Sequence, residues 1–282
     1  MKPITEESVS PEVFKKYSNL LDHIRNLGRI AVAYSGGVDS TFLLAAANQA
    51  PARQLVALTM QRPYFAQWEL REASEIVQEL GITHRILEIP VDENIRENPS
   101  NRCYYCKSFT FDRFWDEVES LGLDTLVDGT NADDTGEYRP GLKAVEEYEV
   151  RSPLLENGLT KSEIRQLSRA MDLPVWDKPS NTCLITRIPY NTYVSDADLR
   201  QIEEAEVFLM KEGFKEVRVR KHDDIARIEV DPGMISKLAQ SEVMNKVVPY
   251  FKSLGFRYVS LDLEGYKTGS MDQAILENQN DQ

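Results

Sequence analysis

Apolar positions along the first part of the chain follow two alternating rhythms. Val13, Tyr17, Leu20, Leu21, Ile24 and Leu27 recur at helical spacing and predict an amphipathic helix ahead of the first strand, Arg29–Tyr34. A glycine-containing break, Ser35–Ser40, interrupts the apolar run, which resumes as a helix apolar on most faces and therefore expected to be buried. Gln54–Thr59 predicts a second strand, Ala73, Ile76, Val77 and Leu80 a helix, and Thr83–Ile89 a third strand. A helix with Phe114, Trp115, Val118 and Leu121 leads into a fourth strand, Thr125–Val127. Strands alternating with helices imply a parallel sheet covered on both faces.

Thr160 and Glu163 have the spacing of a capping box, opening a helix with Ile164, Leu167 and Met171 on one face. Between Leu173 and Asn191 a proline-containing stretch ends all periodicity, and a domain boundary is placed there. The order then changes: helix Ser195–Lys211, strands Glu216–Lys221 and Ile225–Val230, a helix, and strand Tyr258–Leu263. The expected organisation is an α/β domain over 1–188, a small α+β domain over 189–270 and a flexible polar tail over 271–282.

Composition narrows the function. With 41% hydrophobic and 28% charged residues, the chain has the make-up of a globular protein, and no apolar run reaches the length of a bilayer span. A cytoplasmic location without membrane contact is expected. The formal net charge of −13 disfavours nucleic-acid binding, because phosphate neutralisation supplies most of such affinity. Three cysteines, an odd number, argue against a disulfide framework and direct attention to metal, cluster or thiol chemistry.

The break after the first strand reads Ser-Gly-Gly-Val-Asp-Ser. Free amides at a strand-to-helix turn form an anion site, and glycines let the backbone approach a phosphate. Ser35 and Ser40 add hydroxyls, and Asp39 is suited to Mg²⁺ or to orienting phosphates. Neither a Walker A motif nor the dinucleotide fingerprint fits this spacing. The bland alternative is a tight turn that happens to be rich in glycine. Ser35, Gly36, Gly37, Asp39 and Ser40 resemble the PP-loop of the N-type ATP pyrophosphatases, which cleave ATP between its α and β phosphates. Val127–Asp134, "VDGTNADD", resembles that superfamily's second acidic loop and implies a place for Asp128 near the nucleotide and metal, where Asp128 could otherwise be a turn residue.

"EYRPGLKA" (Glu137–Ala144), "PSNTCLITRIPY" (Pro179–Tyr190), "GFKEVRVRKHDDIARIE" (Gly213–Glu229) and "FRYVSLDLEGYKTG" (Phe256–Gly269) extend the resemblance over nearly the whole chain. Together they are similar to the LarE family, the ATP-dependent sulfur-inserting enzymes of nickel-pincer nucleotide biosynthesis that serve lactate racemase. The resemblance implies adenylylation of a carboxylate of a pyridinium dicarboxylate mononucleotide, then conversion to a thiocarboxylate. It also implies a homo-oligomer.

Read from the residues, Arg218 and Arg220 alternate with Val217 and Val219, so both guanidiniums leave one strand face and suit a phosphate or a carboxylate pair. A solvated face with ion pairs to Glu216, Asp223 or Asp224 is the alternative; the resemblance favours anion binding. Arg187 and Lys267 are candidates of the same type. Glu206 falls in the apolar stripe of Leu199, Ile202, Ala205, Leu209 and Met210. It either snorkels to the core's edge or faces a cleft, where it could pair with Arg218 or Arg220 or move protons. The resemblance places it in the active region. The three histidines show no ligand spacing.

Cys103 and Cys106 form "CYYC", and Cys183 lies in "SNTCLITR", the segment that holds the family's sulfur-bearing cysteine. Members with that cysteine alone sacrifice its sulfur; the CxxC pair departs from them and resembles members thought to hold a [4Fe-4S] cluster on three cysteines. A persulfide on Cys183 with a redox pair at Cys103 and Cys106 ranks second, and zinc, lacking a fourth ligand, last. The competing functions are a tRNA thiolase of the PP-loop superfamily and a non-catalytic adenine-nucleotide-binding module.

Overall fold

The computed structural model describes residues 2–50, 54–136 and 140–267. The tail expected over 271–282, and Glu137 to Arg139 of the Glu137–Ala144 stretch, lie outside the described residues.

In chain order the elements are α1 (Pro11–Asn26), β1 (Arg29–Ala33), α2 (Val38–Gln49), β2 (Gln54–Gln61), α3 (Gln67–Leu80), β3 (Thr83–Glu88) and α4 (Glu93–Arg96). There follow α5 (Arg102–Ser120), β4 (Thr125–Val127), α6 (Pro140–Glu147), α7 (Pro153–Glu156), α8 (Lys161–Ala170) and α9 (Asp196–Lys211). The chain continues with β5 (Val217–His222), β6 (Ile225–Val230), α10 (Ile235–Leu238), α11 (Ser241–Ser253) and β7 (Tyr258–Leu261). Contacts divide it into two units, the first made of Met1–Arg62, Gln67–Pro90 and Asn101–Asn181, the second of Pro63–Ala66, Val91–Ser100 and Thr182–Gln282.

The first unit is a parallel sheet in the order β3-β2-β1-β4 with helices on both faces, as the alternating pattern predicts. Side chains on β1 alternate between two cores: Ile30 and Val32 pack with α1, α2 and α8, and Ala31 packs with α5 residues Phe111, Phe114 and Val118. Helix α2 is buried nearly all round, from Val38 to Ala47, which explains its lack of a polar face. The capping box is formed as expected, with the Thr160 hydroxyl accepting from the Glu163 amide and the Glu163 carboxylate accepting from the Thr160 amide. Strand β2 runs past Thr59 to Gln61 because β3 continues to pair with it, as far as Gln61 opposite Glu88.

In the second unit β5 and β6 form an antiparallel hairpin, and β7 joins β6 in parallel. Asp223 takes the left-handed φ of 51° at the hairpin's turn. Helices α9 and α11 cover the sheet, and their Phe208 and Tyr250 rings stack at 4.1 Å. The aperiodic segment after Thr182 is held by backbone and amide bonds instead of periodic packing. Leu184 donates to the Tyr64 carbonyl, and the buried Asn98 amide donates to the carbonyls of Ile188 and Pro189 at 3.1 and 2.8 Å.

Candidate functional site

Strand β1 lies between β2 and β4, all parallel, so the loops that follow β1 and β4 leave the same sheet edge side by side. The chain order reverses at this point, which opens a crevice at the strands' carboxyl ends where ligands of α/β sheets bind. The two loops touch: a Cβ built on Gly129 would stand 2.9 Å from the Ser40 amide nitrogen.

The two glycines after β1 have different jobs. Gly36 has φ +75°, and a Cβ there would meet the Ala73 Cβ at 2.7 Å, so α3 excludes any side chain. Gly37 caps α2 with φ −78°, a conformation open to any residue, and a Cβ there would find Ser35 Oγ as its nearest neighbour, at 3.4 Å. Among the described residues no side chain caps α2. Its first-turn amides therefore point outward for an anion. The Ser35 and Ser40 hydroxyls sit 3.0 Å apart, and Ser40 Oγ also donates to the Gly37 carbonyl, bracing the loop.

Asp39 forms an ion pair with Lys161 of α8 through Oδ2. Its Oδ1 is buried with no hydrogen-bond partner among the described residues. Burial pushes the carboxyl above its ordinary value, against the opposing pull of Lys161. A buried carboxylate oxygen left unpaired beside a helix N-terminus fits a hard cation such as Mg²⁺, which takes oxygen ligands. Asp128 is differently placed. Its Oδ1 accepts from the Thr130 amide at 3.1 Å and the Ser152 hydroxyl at 2.7 Å, and its Oδ2 accepts from the Thr130 hydroxyl at 2.7 Å. These bonds shape the second loop, while Lys107 approaches Oδ2 at 3.7 Å.

The second unit holds a buried charge cluster. Arg187, Glu206, Arg218, Arg220 and Glu229 are each at most 6% exposed. Arg187 grips Glu206 with both arms of the fork, Nε to Oε1 at 2.9 Å and Nη2 to Oε2 at 3.1 Å. Glu206 Oε1 also accepts from the Val219 amide at 2.9 Å, so this acid is buried and bonded and does not snorkel outward. Arg220 pairs with Glu229 at 2.8 Å, across the hairpin, and not with Glu216, Asp223 or Asp224, the alternative partners that the sequence offers. Arg218 lies with its guanidinium 4.7 Å from the Tyr266 ring centroid. Burial, followed by the neighbouring Arg187, lowers its proton affinity. Among the described residues, this buried group brings three guanidiniums together with the two carboxylates Glu206 and Glu229.

Cys183 opens the short 3₁₀ turn Leu184–Arg187 and is half-buried. Cys103 and Cys106 stand one turn apart at the start of α5, the first exposed and the second half-buried. The buried Arg62 donates from Nη1 to the Cys106 sulfur at 3.7 Å. A cationic donor and a helix N-terminus both favour sulfur in an anionic form, as a cluster ligand or a reactive thiolate. Among the described residues no group of three or more His, Cys, Asp or Glu side chains is disposed to hold a metal ion.

No family model matches the chain. An uncharacterized protein of Synechocystis sp. is 38% identical over 262 residues, covering 92% of this chain and 98% of that protein. Pyridinium-3,5-bisthiocarboxylic acid mononucleotide synthase of Lactiplantibacillus plantarum is 34% identical over 268 residues, covering 94% of this chain and 96% of that one. The chain belongs to the LarE family of ATP-dependent sulfurtransferases. A more distant likeness runs to the tRNA-specific 2-thiouridylase MnmA of Rickettsia rickettsii, 28% identical over 59% of this chain and 56% of that protein, within the PP-loop superfamily.

For a LarE protein the structure adds residues that the sequence does not single out. Lys161, inside the capping-box tetrapeptide, is the partner of Asp39. Lys178 bonds the Gly36 carbonyl at 3.3 Å and pairs with Glu72, tying the glycine loop to α3. Glu229 is, in the sequence, one more alternating residue of a strand, and the hairpin register sets it opposite Arg218, within reach of Arg220. Lys267 is exposed and pairs with Glu264 at 3.2 Å. Among the described residues no helix is long and apolar enough to cross a membrane.

Proposed function

We propose that this LarE protein inserts sulfur into a pyridinium dicarboxylate mononucleotide at the expense of ATP. The observation that carries this is the match to the Lactiplantibacillus synthase over 94% of the chain, with a glycine loop at the β1–α2 turn beside the β4 loop. A substrate carboxylate oxygen attacks the α-phosphorus of ATP, the bond to the β-phosphate oxygen breaks, and pyrophosphate leaves. Sulfide sulfur then attacks the acyl carbon, and AMP departs with the carboxylate oxygen. The outward amides of α2 and the hydroxyls of Ser35 and Ser40 hold the phosphates. Asp39, with the second loop of Asp128, would hold Mg²⁺, and the Lys161 ammonium opposes the upward push of burial on the Asp39 carboxyl.

In this reading the second unit binds substrate and mediates homo-oligomerisation, with Arg218 and Arg220 facing the substrate's anionic groups. The protein works in the cytoplasm. The resemblance to three-cysteine members would make Cys103, Cys106 and Cys183 the ligands of a [4Fe-4S] cluster, although among the described residues no group of three such side chains is disposed to hold a metal ion. Three thiolates would leave one iron without a protein ligand, open to the sulfur to be transferred. Arg62 supports this assignment by donating to Cys106, since hydrogen bonds to sulfur stabilise the anionic ligand.

The test is anaerobic incubation with ATP, Mg²⁺, sulfide and the pyridinium dicarboxylate nucleotide. AMP, pyrophosphate and a thiocarboxylate product are expected; ADP and phosphate would refute the reading. Purified protein should contain iron and absorb in the visible, and each Cys→Ala variant should lose that absorbance while pyrophosphate release persists. Dehydroalanine at Cys183 after one turnover would replace the cluster with a sacrificial thiol. The likeness to MnmA gives a second reading, RNA thiolation, which salt-sensitive binding of bulk tRNA would favour.

A further inference from the structure

The turn that carries Cys183 is not held by its own backbone alone. Arg187 Nη1 reaches back to the Thr182 carbonyl at 2.9 Å, the Thr182 hydroxyl at 2.8 Å, the Thr186 hydroxyl at 2.8 Å and the Cys183 carbonyl at 3.3 Å. The other side of the same planar group is clamped by Glu206, which is itself fixed to β5 by the Val219 amide. Arg220 adds a bond from Nη1 to the Thr186 carbonyl at 2.9 Å, and Glu229 holds Arg220 from β6. The residues on both sides of Cys183 are thus tied to buried guanidiniums, each anchored by a buried carboxylate on a regular element.

We propose that Arg187, clamped by Glu206, is the positioning residue for Cys183, presetting the 182–186 turn and with it the direction in which the thiol is presented. The proposal rests on the reading that Cys183 handles the transferred sulfur. It gives Arg187 and Glu206 a positioning role, carried by the bonds that Arg187 makes to the turn and to Glu206. A lysine at 187 keeps the charge but has no planar fork, so it cannot hold Glu206 with two parallel bonds while reaching Thr182 and Thr186. Geometry, not net charge, is what the site needs.

The experiment compares Arg187→Lys and Thr186→Val with the full-length wild-type protein. Cys183 labelling by iodoacetamide is followed at one pH by peptide mass spectrometry, with Cys103 as the internal reference, and kcat and KM for thiocarboxylate formation are measured alongside. Loosening the turn should speed Cys183 labelling by about tenfold in Arg187→Lys, the effect of one lost charge-assisted hydrogen bond. It should lower kcat by up to roughly 100-fold, with little change in KM, since small misplacements of a reacting group are costly. Thr186→Val removes one acceptor of Arg187, together with the hydroxyl's own bonds to the Cys183 carbonyl and the Thr182 hydroxyl, without touching the buried ion pair, and should move both quantities in the same directions by less. It keeps the test decisive if Arg187→Lys fails to fold. Unchanged labelling in both variants, or a rise in KM alone, would overturn the proposal and return Arg187 to the substrate site. If the wild-type protein thiolates no pyridinium nucleotide, the proposed function fails, while the labelling comparison still decides whether Arg187 sets the turn.

Discussion

Replacing Gly36 and Gly37 separately by alanine tests which property of the glycine loop each supplies. At Gly36 the backbone has φ +75°. An L-residue held in the left-handed region costs about 1–2 kcal/mol. The new methyl would also lie 2.7 Å from the Ala73 Cβ, and Ala73 is a buried residue of α3 packed in the core. Overpacking of this kind costs about 1–3 kcal/mol. The two terms give a loss of about 2–5 kcal/mol for Gly36→Ala. Gly37 has a helix-cap conformation with φ −78°, and its nearest neighbour is a serine hydroxyl at 3.4 Å. Gly37→Ala should therefore cost no more than about 1 kcal/mol, the preference of glycine over alanine at an N-cap. Urea unfolding followed by far-ultraviolet circular dichroism measures both, and ATP-dependent pyrophosphate release measures the site. A strong activity loss in Gly37→Ala at near-normal stability would locate the phosphate against that residue. Equal destabilisation by the two substitutions would refute the division of labour between the two glycines.

Asp39→Asn should alter the pH dependence of stability. Burial holds this carboxyl above its ordinary 3.8 in the folded protein, so the unfolded chain gives up the proton first as pH rises. The wild-type protein thus loses stability from pH 3.8 upward until the folded-state value is passed, and the gap to Asp39→Asn should shift in the variant's favour across that window and stay flat above it. Titration of unfolding midpoints checks the sign. For the buried pair, Arg187→Met or Glu206→Leu alone should cost about 3–5 kcal/mol, because each leaves its partner's charge uncompensated. The double variant should cost clearly less than the two singles added, which a denaturation cycle measures.

Much of the first unit is legible from its pattern. Helix and strand periodicities of the residues around β1, α2, β2, α3 and β3 reflect simple burial of one or both faces, and burial is what periodicity records. The α2 run has no polar face and so predicts a buried helix, and the structure buries it from Val38 to Ala47. Serines and an aspartate around two glycines likewise mark a loop whose chemistry is local, since its amides, hydroxyls and carboxylate are contributed by neighbouring residues. The fold class, the strand–helix alternation and the loop after β1 can therefore be read before the chain has folded.

Partnerships belong to the tertiary structure. Asp39 meets Lys161, which is distant in sequence and stands there only as part of a helix cap; no spacing rule links them. Glu206 reads as an acid stranded on an apolar stripe, and only packing shows that Arg187 and the Val219 amide saturate it. The aperiodic segment around Cys183 has no rhythm to read, because side-chain bonds from Asn98, Arg187 and Arg220 hold it in place of a repeating apolar face. Gly36 and Gly37 are identical letters in a row, yet one is required by a left-handed backbone against Ala73 and the other is a helix cap. Periodicity reports which side of an element is dry. Which polar groups meet inside is set by how the elements pack, and that exists only once the chain has folded.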